Sequence, residues 1–131
     1  MLHVLFIKND EELERAHVMM SELLERYAPS QALRLEVAVN EAINNGFNSG
    51  GRVCVKIRRV GDKMIIRVRD DGPGFNTKEV NVELKKNIFI EKFEEIQESK
   101  GGRGILLMKL FCDRVIYNTK GNEVLLMNKL N

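Results

Sequence analysis

The segment 53–70 constrains the fold most, because it contains two strand patterns separated by only two residues. Val53, Val55 and Ile57 alternate with Cys54, Lys56 and Arg58. The apolar positions of the second run are Met64, Ile66 and Val68. Gly61-Asp62 between the runs is typical of a tight hairpin loop. A hairpin makes its strands antiparallel, so the sheet cannot be built from parallel strands alone.

The rest of the chain supplies helices before this hairpin and a second hairpin after it. Residues 2–7 are apolar and predict a strand, and 11–27 and 31–47 show helical spacing of apolar positions. We expect Asn9 or Asp10 to cap the first helix and Ser30 the second. A helix over 105–111 and strands over 115–119 and 123–130 follow. This order predicts one α/β domain over 1–131. It is a two-layer sandwich with a mixed, mostly antiparallel sheet and helices on one face.

Composition excludes several classes of protein. The chain of 131 residues carries 21 Lys and Arg against 19 Asp and Glu, interleaved, for a net charge of +2. Nucleic acid and anionic membranes demand basic clusters, so we expect neither as a partner. Cys54 and Cys112 lie in apolar runs without metal-site spacing, which favours buried thiols. No signal-peptide pattern and no run of ~20 apolar residues is present, so a cytoplasmic location is expected.

The second predicted helix carries a narrow polar stripe. Glu41, Asn44, Asn45 and Asn48 fall on one side of it, although asparagine is a poor helix former. Glu41 and Asn45 are one turn apart, so a carboxylate and an amide oxygen could share a hard cation and its waters. The stripe taken alone fits a solvated helix end equally well.

The turn Asp70-Asp71-Gly72-Pro73-Gly74 follows the second strand of the hairpin. Asp70 continues the parity of Val68 and should therefore point to the buried face. A buried carboxylate needs donors, and an adenine amino group offers them. Gly72 and Gly74 would let the backbone pass close to a flat ligand. Taken alone, the motif is also good chemistry for a plain turn.

A third motif, Gly101-Gly102-Arg103-Gly104, precedes an apolar helix. Backbone amides at a helix N-terminus favour phosphate oxygens, and Arg103 could add a charge-assisted contact. A flexible hinge is the alternative. The preceding segment 76–100 is polar and longer than ordinary connections, which is typical of a functional or mobile loop.

Together these motifs resemble the GHKL (histidine kinase-like, Bergerat-fold) ATPase superfamily, and best its bacterial branch of anti-sigma factors and serine-protein kinases. The matching stretches are Asn40–Asn45, Arg69–Phe75, and Gly102–Met108 with Asp113–Val115. This chain differs from the family in two places. Asn48-Ser49 stands where the family often has His followed by Gly. In the last hairpin, where the family usually carries Gly-Thr, the stretch is Gly121-Asn122-Glu123-Val124.

The resemblance implies a role for each matching position. It implies ATP and Mg²⁺ as cofactors, with a lid over approximately 76–101. The implied roles are Glu41 as general base, Asn45 as magnesium ligand, Asp70 as adenine anchor, Gly72 and Gly74 in the base pocket, Gly102, Arg103 and Gly104 at the phosphates, and Arg15 as a partner contact.

The implied function is an anti-sigma regulatory factor that phosphorylates a serine of its antagonist. The sigma factor and that antagonist are the implied partners, and a homodimer is compatible with the pattern. The alternative is a non-catalytic ATP-binding module that sequesters a regulator. A sensor histidine kinase fits poorly, because His17 lies within the first helix and His3 in the first strand.

Overall fold

The computed structural model describes residues 1–78 and 102–130, which form one five-stranded sheet and three α-helices. The strands are β1 (Leu2–Ile7), β2 (Val53–Val60), β3 (Lys63–Asp70), β4 (Arg114–Tyr117) and β5 (Glu123–Lys129). The helices are α1 (Asp10–Tyr27), α2 (Ala32–Gly50) and α3 (Gly102–Phe111). Most of the predicted lid, 79–101, lies outside the described residues.

The sheet has the strand order β1-β2-β3-β5-β4, and every pairing between its strands is antiparallel. The two-residue hairpin is present, with Val60 opposite Lys63 and Gly61 at φ 60°. After α3 the chain forms the edge strand β4 and then turns back as β5, which lies between β3 and β4. The predicted α/β sandwich, with its mostly antiparallel sheet, is confirmed.

Strand alternation places the core between one face of the sheet and the helices. Alternate residues of β2 from Val53 to Ile57 and of β3 from Met64 to Val68 are buried there. Val55 pairs with Val68 and Ile57 with Ile66. The helices contribute apolar side chains that are fully buried: Met20 and Leu24 from α1, Leu35, Val39 and Ile43 from α2, and Met108 from α3. This two-layer packing is what fixes α2 above the ends of the central strands.

The helix ends show where local sequence signals were right and wrong. Asn9 caps α1 as predicted, since its side chain accepts a hydrogen bond from the Glu12 amide at 2.8 Å. The Ser30 cap is wrong: residues 29–31 form a 3₁₀ turn begun by Pro29, and α2 has no side-chain cap. α2 ends at Gly51, whose φ of 75° favours glycine. α3 begins at Gly102, one turn before the predicted Ile105.

The two cysteines differ. Cys112 is buried as predicted, whereas Cys54 is half-buried on the face of the sheet away from the helices. Neither forms a disulfide. Among the described residues, no helix has the length and apolarity needed to cross a membrane.

Candidate functional site

A cavity of about 240 Å³ opens where α2, the end of β3 and the loop before β5 meet. Its polar lining residues are Asn45, Asn48, Ser49, Asp70 and Asn122. Its apolar lining residues are Ala42, Val68, Phe75, Ile105, Tyr117 and Val124, with Gly46, Gly74 and Gly121 between them. The polar stripe of α2 and the Asp70–Gly74 turn, far apart in the chain, therefore line one cavity, and Ile105, the residue after the third motif, lines it too.

The predicted site residues take different places around this cavity. Asn45, Asp70 and Gly74 line it directly. Glu41 borders it through Gly104, because a Cβ added to Gly104 would lie 3.0 Å from Glu41 Oε2 and 2.9 Å from Asn45 Nδ2. Gly72 is buried in the adjoining turn.

The remaining candidates lie on helices. Gly102 and Arg103 are the first two residues of α3. Arg15 is exposed on α1 and does not line the cavity.

Asp70 is held in place from two directions. Its carboxylate Oδ1 accepts a hydrogen bond from the Gly72 amide at 2.7 Å, which closes the turn after β3. Its own amide donates to the Asn122 carbonyl at 2.9 Å, and its carbonyl accepts from Asn122 Nδ2 at 3.1 Å. The strand parity predicted for Asp70 is confirmed, because it shares the inner face with Val68 and Gly46 packs against it.

Asn122 is in turn oriented by Asn118. The Asn118 side-chain oxygen accepts from the amides of Gly121, Asn122 and Glu123 at 2.8, 3.0 and 3.2 Å. Its Nδ2 donates to Asn122 Oδ1 at 2.7 Å. Sequence reasoning marked Asn122 only as a departure from the family and did not identify Asn118. An asparagine followed three residues later by a glycine, residue types typical of turns, was the available signal.

Two glycines let the turn after β3 pack directly on this loop. Gly74 and Gly121 have φ of 76° and 83°, a region that L side chains rarely adopt. A Cβ at Gly121 would lie 2.5 Å from the Phe75 carbonyl oxygen, and the Phe75 amide donates to the Lys120 carbonyl at 3.0 Å. The cavity floor therefore depends on both glycines.

Phe75 and Tyr117 form an aromatic wall. Their rings meet edge to face, with centroids 4.9 Å apart at 75°. Tyr117 is 8% exposed. Burial raises the pKa of its hydroxyl above the ordinary value of 10.0, and the negative charge of Asp70 raises it further. The wall therefore presents a neutral, flat apolar surface beside a carboxylate.

α2 reaches the cavity through residues that let backbones approach closely. A Cβ at Gly46 would lie 3.2 Å from Asp70 Cβ and 3.3 Å from Val53 Cγ2. At the end of the helix, a Cβ at Gly50 would lie 2.5 Å from the Gly72 amide nitrogen. This close packing is what sets the Asp70 turn against the polar stripe of α2.

The two ends of the site have different chemistry. The end at Asp70 offers an acceptor beside an aromatic wall, which suits a flat base with an exocyclic amino group. The end at Glu41 and Asn45 meets the first turn of α3, where helix amides favour anions.

The donor set at that end fits magnesium bound together with phosphates. Glu41 and Asn45 supply hard oxygen donors. Within 1–78 and 102–130, no cluster of three or more His, Cys, Asp or Glu side chains could hold a metal ion by itself. Mg²⁺ needs no such cluster, since it usually binds through one or two protein oxygens, substrate phosphates and waters.

Comparison with known proteins identifies the family of the chain. No curated protein matches the chain. The profile of the histidine kinase-like ATPase domain family matches residues 7–128, a span that includes every candidate site residue named above. The chain belongs to the histidine kinase-like ATPase domain family.

Proposed function

We propose that this protein binds ATP in the cavity at Asp70 and transfers the γ-phosphoryl group to a serine of a regulatory protein partner. The observation that carries the proposal is the convergence of Asn45, Asp70 and Gly74 on one cavity of about 240 Å³. Family membership supports nucleotide binding in general terms. The choice of a serine substrate rests on the resemblance of the motifs to the anti-sigma kinase branch.

Adenine would occupy the end of the cavity at Asp70. An ionised carboxylate only accepts hydrogen bonds, so it selects a base with an amino donor. The ring would lie against Phe75 and Tyr117, and Gly74 would leave room for its edge. The clamp of Asn122 on both sides of the Asp70 peptide supports a fixed carboxylate direction.

The phosphates would point towards the first turn of α3. The amides of Gly102, Arg103 and Gly104 begin this helix, and its dipole favours negative charge. Asn45, with Glu41 beside it, would hold Mg²⁺, which when bound neutralises phosphate charge. Gly104 keeps this corner open, since a Cβ there would approach Asn45 and Glu41 within about 3 Å.

Transfer would form a bond between the serine oxygen and the γ-phosphorus and break the bond to the β–γ bridging oxygen. The serine proton would pass to Glu41, whose side chain lies at the phosphate end. A positioned base of this kind typically contributes ~10²–10⁴-fold to the rate. Most of the remaining acceleration in phosphoryl transfer comes from positioning and charge neutralisation.

The proposed partners are a sigma factor and its antagonist, with the serine on the antagonist. Arg15 is exposed on α1, where a protein partner could reach it. A non-catalytic switch module is the competing function, because Asn122 occupies the place of the usual family threonine and binds backbone. Both functions require ATP binding, so transfer is the property that separates them.

Nucleotide binding is tested with Asp70→Asn and its neighbour Asp71→Asn. Asp71 is exposed and points away from the cavity, so it is a matched control for charge and position. We expect Asp70→Asn to weaken ATP binding at least about 100-fold in calorimetry, since an amide donor would face the adenine amino group. Unchanged affinity in Asp70→Asn would remove the pocket assignment.

Transfer is tested with radiolabelled ATP, this protein and a purified candidate antagonist. Glu41→Ala should bind ATP like the parent but transfer phosphate ~10²–10⁴-fold more slowly. Glu36→Ala, on the same helix, is the control and should transfer normally. Labelled serine that forms equally fast in Glu41→Ala would exclude Glu41 as the base. ATP binding without any labelled serine would favour the switch module.

A further inference from the structure

The face of the sheet opposite the helices, here called the open face, carries a concentration of positive charge that the net charge conceals. Strand alternation directs basic side chains there, among them Lys56, Arg58, Lys63, Arg67, Arg69 and Arg114. The acidic side chain that the described strands place on this face is Glu123. The chain as a whole is nearly neutral at +2, so much of its negative charge lies elsewhere, as in the first turn of α1.

The strand register brings like charges together on this face. Lys56 lies directly opposite Arg67 in the β2–β3 pair, and Arg58 lies on the same strand two residues on. Like charges directly opposite each other destabilise a sheet. A fold that keeps such pairs exposed gains from a negatively charged partner, because the partner relieves the repulsion.

Apolar side chains run between these cations. Phe6, Leu2 and Val4 of β1 are 64%, 60% and 40% exposed, and Ile116 of β4 is 41% exposed. In the middle of the face, Ile65, Leu125 and Met127 are half-buried between longer basic side chains. Exposed apolar surface rimmed by charge is typical of a protein interaction site.

One corner of the open face is concave. A cavity of about 320 Å³ lies beside Phe6 and Cys54, and Lys8, Arg52 and Arg69 border it together with Asp71. Three cations around an apolar floor suit a carboxylate side chain that is followed by an apolar one. This corner is separate from the nucleotide cavity, whose lining residues all differ from these.

We propose that the open face docks an acidic protein segment that also carries apolar side chains. Such a segment would place carboxylates on the central cations and apolar groups on Phe6, Val4 and Ile116. The proposal concerns a second surface and does not depend on nucleotide binding.

Other occupants match this face less well. A single-stranded nucleic acid would bind best on several stacking platforms, and Phe6 is the aromatic residue that the described strands direct outward. A duplex would present its phosphates and leave the exposed apolar groups of Leu2, Val4 and Ile116 without a partner. A bilayer could not reach Ile65, Leu125 and Met127, because longer basic side chains stand around them. A second copy of this chain would bring cations against cations, at a cost that a stable dimer has to overcome.

The test measures binding of a fluorescently labelled synthetic peptide built from equal numbers of Glu, Leu and Phe residues. Fluorescence anisotropy with the full chain should show binding that weakens as NaCl rises, because exposed charges are screened. A polyglutamate peptide of equal charge should bind more weakly, since it lacks the apolar groups. Asp70→Asn should bind the peptide like the parent.

The decisive variant is Lys56→Glu with Arg58→Glu. It reverses the charge of two positions at the centre of the face and places a carboxylate opposite Arg67, a pairing that favours the fold. We expect its peptide affinity to fall at least about tenfold. Arg26→Glu with Arg34→Glu, on the helical layer, makes the same change in net charge and should stay within about twofold of the parent.

Three results would overturn the proposal. The first is equal peptide affinity in both double variants. The second is tighter binding of a single-stranded DNA oligonucleotide, or of phosphatidylserine–phosphatidylcholine vesicles, than of the peptide. The third is a dimer of the parent chain in sedimentation that the Lys56→Glu/Arg58→Glu variant dissociates, which would identify a second copy as the occupant.

Discussion

Asn122 and Asn128 stand at opposite ends of β5, are 8% and 1% exposed, and both bind the backbone of another segment. Asn122 donates to the carbonyl of Asp70 at the cavity. Asn128 accepts from the Asp113 amide at 2.6 Å and donates to the Phe111 carbonyl at 3.0 Å, which closes the turn between α3 and β4. The same side-chain chemistry therefore holds a site residue at one end and a connection at the other.

The difference between Asn122 and Asn128 shows that a buried polar residue does not by itself indicate a functional site. Each asparagine is itself buried and donates to a backbone carbonyl of another segment, so both stabilise the fold. Only Asn122 also lines the cavity. A buried side-chain amide contributes to a site only where the backbone that it binds belongs to a residue of that site.

Replacement of Asn128 should give the largest change in stability and none in the site. Asn128→Leu removes the donor to the Phe111 carbonyl and one of the two acceptors of the Asp113 amide, which also donates to the Met127 carbonyl. We expect the free energy of unfolding to fall by about 2–4 kcal/mol, measured by urea denaturation. The ATP affinity of the folded protein should be unchanged.

Asn128→Asp is the matched control for that experiment. It keeps the acceptor for the Asp113 amide but places a buried carboxylate against the Phe111 carbonyl, so its loss of stability at neutral pH should be at least as large. A tenfold loss of ATP affinity in folded Asn128→Leu would contradict the claim that Asn128 stabilises the fold without affecting the cavity at the other end of β5.

The connection held by Asn128 also contains a titratable group. Burial raises the pKa of the Cys112 thiol from 9.0 to about 12; nearby Asp113 raises it further and Arg34 opposes this. Because the unfolded chain loses this proton first, Cys112 contributes stability that is present below pH 9 and is lost as pH rises towards 12.

We therefore expect Cys112→Ala to flatten the alkaline decline in stability. One proton corresponds to about 1.4 kcal/mol per pH unit between the two pKa values. Urea denaturation from pH 8 to pH 11 measures the slope, with Cys54→Ala, on the half-buried thiol, as the control. If the free energy of unfolding falls with pH equally steeply in the parent and in Cys112→Ala, groups other than Cys112 cause the alkaline loss of stability.

Sequence patterns could predict the elements that depend on neighbours in the chain. Alternation in β2 and β3, the turn at Gly61-Asp62 and the inward direction of Asp70 all follow from local spacing. The Ser30 cap failed locally, because Pro29 begins a 3₁₀ turn that leaves Ser30 outside the capping position.

Features that depend on strand order could not be predicted in this way. Asn122 reaches Asp70 across 52 positions because β5 inserts between β3 and β4. The hairpin by itself places the cations of β2 and β3 on one face, and strand order adds Arg114 of β4, although these cations are interleaved with acids in the chain. Interleaving in sequence is therefore compatible with clustering in space once the strands alternate.

Replacement of Asn122 should affect binding more than stability, in contrast to Asn128. Asn122→Ala removes the donor to the Asp70 carbonyl and the acceptor for Asn118, so the carboxylate loses part of its orientation. We expect ATP affinity to fall about tenfold, or 1.4 kcal/mol, and the free energy of unfolding by about 1–2 kcal/mol. Calorimetric titration and urea denaturation measure the two quantities.

Asn122→Thr separates the side chain's two contacts in the same assay. A threonine hydroxyl restores the residue type usual in the family but is too short to keep both hydrogen bonds. Suppose that Asn122→Thr binds ATP at least as tightly as the parent but has a lower free energy of unfolding. The hydrogen bond from Asn122 to the Asp70 carbonyl would then stabilise the fold without contributing to ATP binding.

The smallest effect should appear in the titration of Tyr117. Burial is the main cause of its raised pKa, and the charge of Asp70 adds to it. Asp70→Asn removes that charge, so the pKa of Tyr117 should fall towards its ordinary value while staying above it. Because Asp71 is exposed in the turn beyond, Asp71→Asn should leave this pKa unchanged. The phenolate absorbance as pH rises measures the shift, and equal midpoints in both variants would mean that Asp70 does not act on the cavity wall electrostatically.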